Sequence, residues 1–100
     1  MTLDAAFATA AADLMDQFGA AATYTPPGGL PVVTRAVLER ALRERPDGVG
    51  VERVTVVYLP AADVPDVLRG GTVQLGADTW LVDRLDDADG AVVSAVVRPA

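Results

Sequence analysis

A chain of 100 residues has room for one folded domain, and 51% hydrophobic against 22% charged residues supplies a core for it. There is no Cys, no His and no Lys, all eight basic residues being Arg. That excludes thiol and imidazole catalysis, the usual zinc ligands, Schiff bases and a P-loop lysine, and a net charge of −6 argues against nucleic-acid binding, which rests on cations neutralising phosphate.

The first element in chain order is a helix. Leu3, Phe7, Ala10, Ala11, Leu14 and Phe18 fall on one stripe at 3.6 residues per turn, with Asp4, Thr9, Asp13, Asp16 and Gln17 opposite. Thr2 is placed to cap its start, Asp4 suits the positive end of the helix dipole, and Gly19 suits a C-terminal cap. The spacing predicts a helix over 3–18. This Ala-rich opening lacks a basic leader, and its Asp residues interrupt any apolar run, so it does not read as a signal peptide.

After Gly19 the period changes. Ala22-Thr23-Tyr24-Thr25 is β-prone and stops at the Pro26-Pro27-Gly28-Gly29 break, which reads as a hairpin tip. Residues 32–45 fit two periods. Val33, Val37, Leu38, Ala41 and Leu42 make a helical stripe with Thr34 as its cap. Val32, Ala36, Leu38 and Leu42 alternate with Arg35, Glu39 and Arg43 as in a strand, leaving Val33 and Val37 on the polar side. Periodicity alone leans towards helix.

Pro46 to Gly50 reads as a loop, and Val51 to Leu59 as a strand with Val54, Val56 and Tyr58 on one face and Arg53 and Thr55 on the other. Residues 60–65 break it, with a single helical turn expected over 62–68. Thr72 to Leu75, Thr79 to Leu85 and Ala91 to Arg98 follow as strands, separated by turns at Gly76-Ala77-Asp78 and Asp86 to Gly90. The expected fold is therefore α+β: an N-terminal helix packed on a small antiparallel β-sandwich or barrel of about six strands, residues 20–98, in one domain spanning 1–100.

Charge is unevenly distributed. Residues 1–34 carry −3, residues 35–58 carry +1 and residues 59–100 carry −4. The Arg-rich island (Arg35, Arg40, Arg43, Arg45, Arg53) is interleaved with Glu39, Glu44, Asp47 and Glu52, which reads as an ion-paired surface rather than a phosphate patch. No stretch approaches the ~18 apolar residues of a membrane span, so the expectation is a soluble protein made in the cytoplasm.

Candidate chemistry is sparse. Aligning Gly90 with the glycine of a calcium loop puts Asp87 and Asp89 at ligand positions, but Leu85 and Val96 at the two ends where acids are needed. Ser94 is the only serine and has no base to activate it. Trp80 and Tyr58 lie in apolar strand patterns and read as core. No catalytic, cofactor-binding or metal-ligating residue is expected, and the protein is not expected to be an enzyme.

Two stretches carry a resemblance. Leu3 to Phe7, running to Ala22-Thr23-Tyr24-Thr25-Pro26-Pro27-Gly28-Gly29, resembles the start of the phage head–tail joining family typified by the tail-attachment protein of phage lambda. Asp63-Val64-Pro65, then Leu68-Arg69-Gly70-Gly71-Thr72-Val73-Gln74-Leu75-Gly76 and Thr79 to Leu85, resembles the family's hairpin, with Gly71 where an Asp is usual and a shorter central loop. The resemblance implies that residues 32–42 are strand. It also implies a structural virion protein of the head–tail neck, from a phage, prophage or gene-transfer particle. Its partners would be the portal or adaptor and the tail. The implied assembly is a ring on the particle, monomeric when free, through which DNA passes without sequence-specific contact. The expected subunit and partner contacts are the loop tips: Pro26, Pro27, Gly28 and Gly29; Arg45, Asp47 and Gly48; Asp86, Asp87 and Asp89. The competing class is a cytosolic partner- or ligand-binding β-barrel unrelated to virions.

Overall fold

The computed structural model describes residues 19–100. They form β1 (Ala20–Thr25), β2 (Val32–Glu44), β3 (Val51–Pro60), β4 (Thr72–Leu75), β5 (Asp78–Ala88) and β6 (Val92–Pro99). All pairings are antiparallel, and the sheet closes on itself in the order β1-β2-β3-β6-β5-β4, with β4 returning to β1. The α+β expectation is corrected: the described residues are all-β and contain no helix. The physical reason is that a closed sheet packs against itself, so its inner face is buried without a helical layer. The helix expected over 3–18 lies outside the described residues. The single helical turn expected at 62–68 is replaced by a turn at 60–64, where the N–H groups of Asp63 and Val64 both donate to the carbonyl of Pro60.

Alternation explains the barrel interior. Ala22 and Tyr24 of β1, Ala36 of β2, Val57 and Leu59 of β3, Val73 of β4, Val82 of β5, and Val93, Ala95 and Val97 of β6 form one buried cluster, with Trp80 and Leu75 packed against it. The cluster mixes the small Ala22, Ala36 and Ala95 with the large Tyr24 and Leu59, a combination that fills a narrow barrel. For β3 this corrects the expectation that Tyr58 is core. Val57 and Leu59 point into the main core, while Val54, Val56 and Tyr58 share the outward face.

Residues 32–44 are strand, not helix. Their mixed periodicity has a cause in the fold. β2 pairs with β1 only from Val32 to Ala36, and with β3 from Val37 to Glu44, and β3 meets β6 only from Thr55 onward. The distal halves of β2 and β3 therefore leave the barrel as a two-stranded arm. Strict alternation is imposed only where one face is buried, and Leu42 and Val51 on this arm are 62% exposed.

The barrel has two unlike ends. One carries the β1–β2 turn, the β5–β6 turn and the connection 61–71, which crosses the opening as a lid and buries Val64 and Val67. The lid is tied by Thr34 Oγ1 donating to Asp63 Oδ2 (2.9 Å), by the Leu68 N–H donating to the Tyr24 hydroxyl (2.9 Å), and by backbone bonds from Ala61 to Ala91 and between Val82 and Gly70-Gly71. The other end carries Gly19, the arm with its loop 45–50, the Gly76-Ala77 turn and Ala100.

Candidate interaction surfaces

The expected loop-tip residues do not converge on one site; they divide between the two ends. At the lid end, Gly29 N–H donates to the Pro26 carbonyl (3.0 Å), closing a four-residue turn with Pro27 second and Gly28 third. Gly28 has φ +67°, which a type II turn demands at that place and glycine adopts without steric cost. Pro27, Gly28 and Gly29 are exposed and Pro26 half-buried. Asp89 lies at the same end, where its Oδ1 accepts from the N–H groups of Ala91 (3.2 Å) and Val92 (2.9 Å) and shapes the β5–β6 turn. At the arm end, Asp47 Oδ1 accepts from Val49 N–H (2.9 Å), and Arg45 pairs its backbone with Gly48 and Gly50. Arg45, Asp47 and Gly48 are all exposed.

Asp86 and Asp87 are not in a turn: β5 runs on to Ala88, so both lie within it. Asp87 is exposed, and its Oδ1 accepts from Ala88 N–H. Asp86 occupies an irregularity in the β5–β6 register between Leu85 and Asp87, which turns its side chain onto the outward face of the sheet. There its carboxylate accepts from Arg43 Nε at 2.7 Å, Arg43 Nη2 at 3.2 Å and Ser94 Oγ at 3.0 Å. Chiefly through the hydrogen bond from Arg43, Asp86 is held below the usual carboxylate range, and the same bond raises the Arg43 guanidinium. A carboxylate kept ionised in this way is a weak proton acceptor, so contact with Asp86 does not turn Ser94 into a nucleophile.

A second ion pair runs beside the first. Arg84 Nη2 lies 3.3 Å from Glu52 Oε1, and Arg84 Nη1 lies 3.5 Å from Asp83. Arg43 and Glu52 belong to the arm, whereas Asp86 and Arg84 belong to β5, with β6 between in the sheet. The arm therefore bends back across the outward face that carries Val56, Val96 and Ser94, all three buried.

Two features had little signal in the sequence. Tyr24 is 2% exposed and serves as both core and lid anchor. Gly71 packs against it: a Cβ there would stand 2.9 Å from Tyr24 Cε2 and from its hydroxyl, and 3.1 Å from the Leu68 carbonyl. Trp80 is half-buried against the core as expected, whereas Tyr58 is half-buried on the outward face.

The described residues thus form a closed barrel with exposed loops at both ends and ion pairs on its wall. The family model described as Phage Head-Tail Attachment protein matches residues 3–97. The chain belongs to the phage head–tail attachment family, which gives it a structural role at the phage neck and makes head and tail proteins its partners. No curated protein matches the sequence.

Proposed function

We propose that this chain is a subunit of a ring at the neck of a tailed phage, prophage or gene-transfer particle, joining the portal or adaptor of a filled head to the tail. The observation that carries the reading is the family match over residues 3–97, which takes in all but the last three of the described residues. Its physical counterpart is the separation of exposed loops to opposite ends. A ring subunit that bridges two structures needs a rigid body with distinct surfaces, and a cyclic assembly needs head-to-tail contacts between unlike patches. In this reading Pro26 to Gly29 with Asp89 form one docking end, and Arg45, Asp47 and Gly48 the other. The acids of residues 59–100, facing a central channel, repel phosphate and let DNA pass without sticking.

The test is reconstitution. Purified chain added to filled heads and free tails from particles lacking it is expected to raise the yield of tailed particles. Substitutions at Pro27 or Asp47 are expected to lower that yield while leaving the melting temperature unchanged. A chain that leaves the yield where it was sinks this reading.

A further inference from the structure

The inner face of the barrel continues beyond the point where the barrel closes. Residues directly opposite each other in an antiparallel pair share a face. The register Leu38↔Val57, Arg40↔Thr55, Leu42↔Arg53, Glu44↔Val51 therefore carries the face of the buried Val57 out along the arm. The arm's other face carries Arg43 and Glu52, which bind the barrel wall through Asp86 and Arg84. Beyond Thr55 the inner face lies open. Leu42 and Val51 are diagonal neighbours there, each 62% exposed, with the exposed Arg40 and Arg53 beside them and Glu44 further out. Among the described residues neither Arg40 nor Arg53 is in an ion pair.

We propose that in the assembled ring this face receives residues 3–18 of the neighbouring copy, a contact that rests on the ring reading and names how its subunits join. Charge complementarity selects the occupant. Residues 1–18 carry Asp4, Asp13 and Asp16 and no basic residue, with Leu3, Phe7, Leu14 and Phe18 among them. Their carboxylates meet Arg40 and Arg53, and their apolar side chains cover Leu42 and Val51. Position agrees with charge. The segment joins the barrel at Gly19, whose carbonyl accepts from Arg35 Nε (3.3 Å), at the same end as the arm. Rotation about a ring axis keeps every point at its own height. With the barrel's two ends facing head and tail, the segment of one copy and the arm of the next are therefore level. Eighteen residues span roughly 60 Å when extended, and the longest dimension of the described barrel is 38 Å, so the segment reaches a neighbour. Segment and arm are unlike patches, as the head-to-tail contacts of a cyclic assembly require. The free chain stays a monomer, because the contact is weak until the particle holds the copies side by side and raises their effective concentration.

The chain has no Cys, so Leu14→Cys combined with Leu42→Cys places one thiol on the segment and one on the arm. Filled heads lacking the chain are loaded with this variant and treated with a bismaleimide. A ladder of multimers on a denaturing gel is expected, with no ladder from the same variant free in solution. Retention on heads gives a second readout. Arg40→Glu with Arg53→Glu is expected to lower the copies retained per head about tenfold or more, and adding Asp13→Arg with Asp16→Arg is expected to bring them back. Circular dichroism of each unbound variant checks that the barrel is intact. A link confined within single chains would place the segment on its own arm, and a link to a head protein would give the face another occupant; either overturns the proposal. Retention unchanged by the Arg40 and Arg53 substitutions, or not recovered by the Asp13 and Asp16 ones, overturns it as well. In all of these cases the parent still binds heads and the attachment reading stands, whereas a parent that does not bind filled heads sinks that reading and this contact together.

Discussion

Arg43 and Asp86 stand 43 positions apart in the chain, on strands separated in the sheet by β3 and β6, and yet Arg43 Nε lies 2.7 Å from Asp86 Oδ1. The contact ties an arm that has left the barrel to the barrel's wall. It also holds Ser94, whose buried hydroxyl finds its acceptor in the same carboxylate.

Asp86→Asn is expected to lower stability by about 1–2 kcal/mol, because the guanidinium loses its counter-ion and the Ser94 hydroxyl its charged acceptor. For a domain of this size that is a fall of roughly 4–8 °C in melting temperature per kcal/mol. Because the Arg43 side chain is 34% exposed, solvent screens the pair. A double-mutant cycle with Arg43→Ala is therefore expected to return a coupling of only about 0.5–1 kcal/mol. Additive effects in urea denaturation would show that the two residues do not act together.

The same pair sets an acid dependence. Asp86 has a lowered pKa in the folded chain, so the unfolded chain binds its proton first as the pH falls. The contribution of Asp86 is complete above the ordinary carboxylate value of about 4, and it is lost as the pH drops through the lower folded value. Urea midpoints compared at neutral pH and near pH 3 are expected to fall less in Asp86→Asn than in the parent. Equal falls in both would remove Asp86 from the acid response.

Gly71→Ala forces a methyl group against Tyr24 and the Leu68 carbonyl, where a Cβ has contacts of 2.9–3.1 Å. Overpacking of this kind costs about 1–3 kcal/mol. Hydrogen exchange is expected to show the loss locally, as faster exchange at Leu68 N–H, which donates to the Tyr24 hydroxyl. A substitution without thermal or exchange effect would mean that the lid adjusts freely.

Burial ranks three apolar truncations. Leu59→Ala, at 0% exposure inside the barrel, is expected to cost about 2–5 kcal/mol. Val56→Ala, also 0% exposed but on the outward face, is expected to cost somewhat less, about 1–3 kcal/mol, as a smaller side chain is lost. Leu42→Ala, on the arm, is expected to stay within about 0.5 kcal/mol of the parent. Chemical denaturation of the three variants checks the order, and a Val56 variant as stable as the Leu42 one would deny that the outward face is packed.

These residues also show where the sequence informs and where it stops. β4 was readable to the residue because Thr72-Val73-Gln74-Leu75 alternates between glycine turns. β5 was readable at its start, but its end ran past the expected turn, since nothing in Asp86-Asp87-Ala88 announces strand. β2 was obscured because Val33 and Val37 place apolar side chains on the face opposite Ala36, Val33 being 82% exposed, so that the same stretch also completes a helical stripe through Leu42. In β3, Val54, Val56, Val57, Tyr58 and Leu59 are apolar on both faces, so the pattern alone did not show that Val57 and Leu59 face the main core. The loop tips were legible as breaks, but their division between two ends depends on the lid connection that carries the chain from β3 to β4. The pairing of Arg43 with Asp86 had no local signal, because eight arginines and fourteen acids allow many such pairs and only the bend of the arm selects this one.

The central claim, that this chain joins heads to tails, is tested most directly by electron microscopy of lysates from particles whose gene for this chain has been deleted. The account predicts separate DNA-filled heads and free tails, with joining restored when the chain is supplied from a plasmid. Tailed, infectious particles assembled in its absence would contradict it.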